Sequence, residues 1–146
     1  MDFVITAMQE RHLDAVDEIE GSVFPDPWSK AMFSRDLEAD HAMSFVALQN
    51  DFVIGYVNCW LAADECTINR IACCKKKQRH GIATQLLRHV LDLAAKEGAK
   101  SCFLDVRSGN AVAQEFYAKD GFLRSGLRKK YYSDTGEDAV CMSMVL

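Results

Sequence analysis

The chain has 146 residues, of which 49% are hydrophobic and 26% are charged. This near-average composition excludes a disordered chain, because enough apolar surface is present to offset the entropy lost on ordering. The length is typical of one domain, so we expect a single domain over residues 1–146. The net charge of −4 argues against general electrostatic attraction to nucleic acid.

The apolar runs are shorter than the roughly 18 residues that a membrane helix needs, so we expect no membrane association. Residues 1–4 carry no basic segment ahead of an apolar stretch. We therefore expect no secretory signal and a cytoplasmic location.

The six cysteines and four histidines do not show the spacing of metal ligands, so we expect no metal. All six cysteines fall in apolar, strand-like runs, where a free thiol behaves as a small hydrophobic group. We expect buried, reduced cysteines. They are Cys59, Cys66, Cys73, Cys74, Cys102 and Cys141.

The first half of the chain predicts one strand, two helices and then three strands. The strand is expected at residues 3–7, and apolar spacings of three and four predict a helix over 13–23. Ser29 is a suitable N-cap for a second helix that reaches Leu37. The next three strands are joined by short turns into an antiparallel meander. Their predicted bounds are 44–48, 52–60 and 66–74.

The second half predicts a helix, a strand, a short helix and two strands. Helical periodicity runs from residue 82 to 94, and Gly98 is a suitable C-terminal cap. The later elements are expected at 101–106, 110–117, from 122 onward and at 139–146. The order β-α-α-β-β-β-α-β-α-β-β predicts a mixed α/β domain.

Residues 78–84 follow a strand and open the long helix. Gly81 and its small neighbours allow backbone amides to approach a ligand, and the first N–H groups of a helix favour negative charge. The segment therefore predicts a phosphate cradle. It has neither the Gly-Lys-Ser/Thr of nucleotide hydrolases nor the Gly-x-Gly-x-x-Gly pattern. The alternative is an ordinary helix start that contains one glycine.

Two motifs resemble the GNAT N-acetyltransferases. Gln-x-x-Gly-x-Ala at 78–83, after a strand that includes Asn-Arg-Ile-Ala at 69–72, resembles their acetyl-CoA signature. Residues 110–122, Asn-Ala-Val-Ala-Gln-Glu-Phe-Tyr followed by Gly-Phe, resemble their second signature. The resemblance implies the GNAT fold, with a mixed, mostly antiparallel central sheet whose fourth and fifth strands splay apart. It also implies acetyl-CoA as the cosubstrate.

Three further segments resemble the RimI family of ribosomal-protein-alanine N-acetyltransferases within that superfamily. They are Phe-Pro-Asp-Pro-Trp-Ser at 24–29, Leu-Asp-Val-Arg at 104–107, and Arg-Lys-Lys-Tyr-Tyr at 128–132 followed by Gly-Glu-Asp-Ala at 136–139. The resemblance spans nearly the whole chain. It implies acetylation of the N-terminal alanine of small-subunit ribosomal protein eighteen, with no direct contact to nucleic acid.

The same resemblance implies the residues that bind acetyl-CoA. Backbone groups of strand four would hold the pantetheine arm in the slot between the splayed strands, and amides around Gly81 would cradle the pyrophosphate. The residues concerned are Ile71, Ala72, Cys73, Arg79, His80, Gly81, Ile82, Ala83, Thr84 and Asn110.

Two residues are the candidates for acid–base chemistry. Tyr117 is the candidate general acid, because a phenol with a pKa of about 10 keeps its proton at neutral pH. Asp105 is the candidate base, although the RimI family has a longer Glu at this position, so a bridging water would restore its reach. Glu65 is the alternative base. Tyr117 as a plain core aromatic and Asp105 as a strand-edge acceptor remain alternatives.

Aromatic residues are the candidates for peptide binding. Trp28 lies in the loop between the two first helices, and Tyr131 and Tyr132 lie in the last hairpin, which in RimI closes over the peptide. Simple packing of these side chains is the alternative, and Arg107 is expected to form a salt bridge. Two other functions remain open: acetylation of a small amine, and a non-catalytic module that binds acetyl-CoA.

Overall fold

The computed structural model describes residues 2–146. In these residues the element order predicted from the sequence is confirmed. The strands are β1 (Val4–Ala7), β2 (Ala42–Gln49), β3 (Phe52–Ala62), β4 (Glu65–Cys73), β5 (Ser101–Arg107), β6 (Leu123–Arg128) and β7 (Ala139–Val145). The helices are α1 (Leu13–Val23), α2 (Lys30–Leu37), α3 (Ile82–Lys96) and α4 (Ala111–Lys119). Single 3-10 turns at Glu10–His12 and Lys75–Lys77 were not predicted.

The strands form one sheet in the order β1-β2-β3-β4-β5-β7-β6. The expected antiparallel meander of β2, β3 and β4 is confirmed, and the β2–β3 turn places Asn50 and Asp51 in the left-handed region that a two-residue hairpin requires. The only parallel pair among the described strands is β4 with β5. A mixed, mostly antiparallel sheet is the result.

The predicted splay of β4 and β5 is confirmed. The two strands pair at only three positions, from Glu65 with Ser101 to Thr67 with Phe103. Beyond that point β4 continues along β3 as far as Cys73, and β5 continues along β7 as far as Arg107. The sheet therefore opens between them toward their C-terminal ends. We call this opening the slot.

A bulge in β4 lies beside the slot. Asn58 of β3 pairs with Arg70 and Cys59 pairs with Ile68, so Asn69 is an extra residue on β4. A bulge of this kind bends its strand and increases the local twist. The bend is therefore located where β4 leaves β5.

The core lies on both faces of the sheet. On one face, α3 packs with Leu86, Leu87 and Val90, joined by Tyr117 of α4. On the other face, α1 and α2 pack around Phe33 and other side chains. Among residues 2–146 no helix is both long enough and apolar enough to cross a membrane.

The expectation for the cysteines was partly wrong. All six are free thiols, and four are buried. Cys74 lies just after the end of β4 and is half-buried, and Cys141 is half-buried on β7. Cys141 differs because its side chain faces an open cleft beside β5 rather than the core.

Candidate active site

An open cleft lies on the α1–α2 face of the sheet, beside the closed end of the slot. Its volume is about 280 Å³. It contains both candidate bases, Asp105 of β5 and the alternative, Glu65 of β4. The lining residues are Glu65, Thr67, Phe103, Leu104, Asp105, Arg128, Cys141 and Met142.

Asp105 and Glu65 occupy different positions relative to the slot. Glu65 pairs with Ser101, where β4 and β5 are still joined. Asp105 lies two residues beyond Phe103, the last residue of β5 that pairs with β4, so its side chain flanks the open part. At 3.3 Å per residue the two positions are about 13 Å apart along the strands. Asp105 therefore lies beside the open part of the slot, and Glu65 lies beside its closed end.

The carboxylate of Asp105 is half-buried beside Arg128 and Cys141. Its Oδ1 lies 3.9 Å from Nε of Arg128, whose own side chain is exposed at the end of β6. Cys141 is the partner of Asp105 across β5 and β7, and burial is the largest cause that raises the pKa of its thiol. A hydrogen bond with Asp105 also raises the pKa of that thiol, so the Asp105 carboxylate lines the cleft between Arg128 and Cys141.

Tyr117 lies on the opposite face of the sheet. The side chain is buried on α4, with its ring centroid 5.0 Å from that of Phe116 and 5.6 Å from that of Phe122. Burial raises the pKa of Tyr117 above that of an ordinary phenol, so the hydroxyl keeps its proton throughout the neutral range. Asp105 and Tyr117 are therefore separated by the sheet, and the slot is the opening between their two faces.

The segment before α3 has the backbone expected of a ligand cradle. Gly81 adopts φ +78° at the N-cap, and Arg79 also has a positive φ of 69°. No side chain caps this helix, so the first amides keep their hydrogen-bonding capacity. Arg79, His80 and Gly81 are exposed, Ile82 is buried, and Ala83 and Thr84 are half-buried. The 3-10 turn of three lysines directly precedes this segment.

The other residues predicted to bind acetyl-CoA fall in two places. Ile71, Ala72 and Cys73 form the end of β4 along the slot. Burial raises the pKa of Cys73 to about 11, so its thiol stays protonated. Asn110 is the N-cap of α4, and its Oδ1 accepts a hydrogen bond from Ala113 N at 3.0 Å. The oxygen of Asn110 is thus already used in capping.

The predicted aromatic residues lie on two loops at the open end of the slot. Trp28, in the loop that joins α1 to α2, is half-buried with its ring centroid 5.3 Å from that of Phe33 and 6.4 Å from that of Trp60. Tyr131 is exposed and Tyr132 is half-buried in the loop that joins β6 to β7. The two loops meet at Arg107, which contacts Asp26 of the first and Asp134 of the second.

A buried charged network that the sequence analysis missed holds the α1–α2 loop. Glu20 is fully buried, and its Oε2 lies 2.7 Å from Nη2 of Arg70 and accepts a hydrogen bond from Trp28 N at 2.9 Å. Tyr56 donates to its Oε1 at 2.5 Å. The Arg70 guanidinium also lies 4.3 Å from the centroid of the Phe24 ring. Glu20 falls on the apolar face of α1 beside Val16 and Ile19. A charged residue at a position expected to be buried could have indicated an ion pair.

Tyr56→Phe is expected to lower the free energy of unfolding by about 2 kcal/mol. The reason is that a hydrogen bond to a charged group is worth roughly 1.5–3 kcal/mol, and Glu20 has no access to water to replace it. Urea denaturation measures the loss. The exposed Tyr131→Phe is the matched control and should change little. Equal stability of both variants would contradict the role given to this network.

A second polar network holds the bulge. Asn69 donates from Nδ2 to Oδ1 of Asn58 at 3.0 Å. Asn58 in turn donates to Asp36 Oδ2 at 3.0 Å and to Ser44 Oγ at 2.9 Å. Asn58 and Asp36 are buried. The extra residue of β4 is thus tied to α2, which fixes the strand where it leaves β5.

The fold and the site define an acetyltransferase of a known class. The model of the acetyltransferase (GNAT) family matches residues 13–122, and the chain belongs to this family. Within residues 2–146, no three His, Cys, Asp or Glu side chains are placed to hold one metal ion.

Two curated relatives carry more particular names. The chain is 30% identical over 142 residues to the [ribosomal protein bS18]-alanine N-acetyltransferase of Escherichia coli, with 96% of this chain and 95% of that one covered. The crystal structure of the E. coli enzyme has a TM-score of 0.90 over 99% of this chain and 94% of that one. N-alpha-acetyltransferase RimI of Mycobacterium tuberculosis is 34% identical over 86% of this chain and 81% of its own length.

A more distant structure shares the fold with a ligand in place. Naa50 of Arabidopsis thaliana, in complex with the bisubstrate analogue CoA-Ac-MVNAL, has a TM-score of 0.88 at 21% identity, with all of both chains covered. At this identity the likeness concerns the fold. That protein holds a coenzyme A derivative joined to a peptide.

Proposed function

We propose that this protein transfers the acetyl group of acetyl-CoA to the N-terminal α-amine of a protein, and that its substrate is the N-terminal alanine of ribosomal protein bS18. One observation carries the proposal. Strands β4 and β5 part beyond Thr67 and Phe103, with the Asp105 carboxylate on one face of the sheet and the buried, protonated phenol of Tyr117 on the other. The names of the relatives in E. coli and M. tuberculosis support the substrate.

The residues beside the slot suit acetyl-CoA as the donor. The edge of β4 over residues 68–73 has no β5 partner, so its backbone groups are available to the amides of a pantetheine arm. Uncapped amides at the start of α3 and the nearby basic side chains suit a pyrophosphate. We therefore assign the donor to the α3–α4 face and the peptide to the face that carries Asp105.

In this proposal the base acts from one face of the sheet and the acid acts from the other. Asp105, through one bridging water, takes a proton from the incoming ammonium group, which leaves a neutral amine. The amine nitrogen forms a bond to the thioester carbonyl carbon, and the carbon–sulfur bond breaks. Tyr117 gives its proton to the departing sulfur, and the nitrogen loses its second proton as the amide forms. That proton passes through water to the phenolate of Tyr117 and restores the phenol, while Asp105 releases the first proton to solvent. The products are an acetylated N-terminus and free coenzyme A.

Gly81→Ala is expected to weaken the binding of acetyl-CoA by roughly tenfold, because an L side chain at φ +78° costs about 1–2 kcal/mol and shifts the amides of the cradle. Gly98→Ala is the matched control. It also has a positive φ with open space around it, but it lies at the far end of α3. Calorimetric titration should show weaker binding only in Gly81→Ala. An equal loss in both variants would contradict the cradle.

Peptide recognition is assigned to the two loops at the open end of the slot. Trp28, Tyr131 and Tyr132 supply aromatic surface on both sides of the α-amine. Residues 1–146 would act as one catalytic domain, without direct contact to nucleic acid or a membrane. The cytoplasm is the proposed location, because that is where ribosomal proteins are made.

The proposal is tested with peptides and small amines. The protein is incubated with acetyl-CoA and a peptide that begins Ala-Arg, or with a polyamine or an aminoglycoside, and release of the coenzyme A thiol is followed. Faster release with the peptide supports the proposal. Faster release with the small amines would favour the small-amine alternative. Absence of release with every acceptor would favour a binding module.

A further inference from the structure

Two arginines, one on each side of the slot, hold the same aspartate. Arg70 of β4 donates from Nη2 to the backbone oxygen of Asp26 at 2.9 Å. Arg107 of β5 lies with its Nη2 3.1 Å from Asp26 Oδ2. Asp26 stands between Pro25 and Pro27, whose fixed φ angles restrict this part of the α1–α2 loop. The loop is therefore tied across the open end of the slot.

Arg107 also holds the β6–β7 loop. Its two terminal nitrogens bind the two carboxylate oxygens of Asp134 at 3.0 Å and 2.9 Å, which is the strong, bidentate geometry. Nη1 lies 3.5 Å from Glu137 Oε1. The guanidinium carbon lies 4.1 Å from the centroid of the Tyr132 ring. One side chain thus connects two loops that are far apart in the sequence.

The burial of Arg107 makes this connection stronger than an ordinary surface ion pair. Exposed pairs contribute little because water and salt screen them. The Arg107 side chain is only 16% exposed, and three carboxylates surround it. The α1–α2 loop has a second anchor in the buried pair of Glu20 with Arg70. The distance between the two loops is therefore fixed from both sides.

We propose that Asp26, Arg70 and Arg107 form a strap that fixes the width of the peptide groove and so selects a small first side chain. This inference rests on the proposed function, which assigns peptide binding to the two loops that Arg107 joins through Asp26 and Asp134. Asp26 is a positioning residue in this account, since it acts through the loops and not on the reacting atoms. A groove of fixed width excludes a long aliphatic side chain next to the α-amine.

Asp26→Ala is the direct test of selection. Peptides that begin with Ala and with Leu are compared by kcat/KM, and the preference for Ala is expected to fall about tenfold, the scale on which a pocket distinguishes side chains by size. The fall should come mainly from a rise in kcat/KM for the Leu peptide, because a wider groove admits the longer side chain. Asp26→Asn keeps an oxygen that accepts from Arg107 and should restore most of the preference.

The control removes an ion pair between α1 and α2 that contacts neither loop. Asp14 pairs with Lys30 between α1 and α2, with both side chains exposed and neither loop involved. Asp14→Ala should leave the preference for Ala unchanged. An unchanged preference in Asp26→Ala, or the same fall in Asp14→Ala, would overturn the selective role of the strap.

Hydrogen exchange gives a second readout that does not need turnover. In the free protein, Asp26→Ala should raise amide exchange in residues 24–28 and also in residues 129–138, because the strap joins both loops. Exchange that rises in the first segment only would overturn the connection. If the unaltered protein acetylates neither peptide, the proposed function and the selective role both fail. In that case hydrogen exchange in the two loops still tests whether Asp26 and Arg107 connect them.

Discussion

Asp105→Ala is expected to lower kcat/KM for a peptide that begins with alanine by about 10²–10⁴-fold, the usual contribution of a positioned general base. The reason is its place on β5, two residues beyond the last pair with β4 and beside the open slot. Glu65→Ala is the matched comparison, because Glu65 lines the same cleft at its closed end. That variant should keep most of its activity.

The pH profile distinguishes the base from a merely structural carboxylate. A base must be unprotonated to act, so the rate of the unaltered enzyme falls as pH drops through the pKa of that base. The residual activity of Asp105→Ala should lack this acidic limb, whereas Glu65→Ala should retain it. Asp105→Glu restores the longer side chain of the RimI family and should recover activity. Loss of the acidic limb in Glu65→Ala alone would transfer the role to Glu65.

Tyr117→Phe is expected to lower kcat by on the order of 10²-fold while the dissociation constant for acetyl-CoA stays nearly unchanged. The substitution removes the proton donor and keeps the buried ring between Phe116 and Phe122. Single-turnover kinetics with a saturating peptide, together with calorimetric binding of acetyl-CoA, separate the two effects. Full turnover in Tyr117→Phe would remove Tyr117 from the acid role.

The pH dependence of the same group follows from its burial. An acid works only while it is protonated, so its contribution is lost when pH rises above its pKa. Burial raises the pKa of Tyr117, and the basic limb that it causes should lie above the ordinary phenol value of about 10. A basic limb near pH 8 that disappears in Tyr117→Phe would contradict this account. Tyr132→Phe is the control, because that tyrosine lies on the other face.

Most of the fold was readable in the sequence because local patterns determine it. The periodicity of α3, the left-handed glycine before it and the turn at Asn50 and Asp51 each depend on neighbouring residues. Short-range spacing also predicted the strand that carries Asp105 and the helix that carries Tyr117, whereas the roles proposed for these residues came from the family resemblance. The splay of β4 from β5 followed from the resemblance of two motifs to a known family, and no periodicity within either strand specifies it.

The contacts that shape the peptide groove were not readable. Glu20 meets Arg70, and Arg107 meets Asp26 and Asp134, across long stretches of chain that only the folded sheet brings together. Local patterns show a charge in an apolar run but do not show its partner. The preference for Asp105 over Glu65 came from the family resemblance, and the strand register adds that Asp105 lies beside the open part of the slot.

The most direct test is the chemical state of the N-terminus of bS18. Purified bS18 with a free N-terminal alanine is incubated with this protein and acetyl-CoA, and the ribosomal proteins of cells with and without the protein are compared by mass spectrometry. The account predicts one acetyl group on the α-amine of that alanine, present only with the active protein and much reduced with Asp105→Ala. An unmodified alanine in both samples, or an acetyl group on a lysine side chain instead, would contradict it.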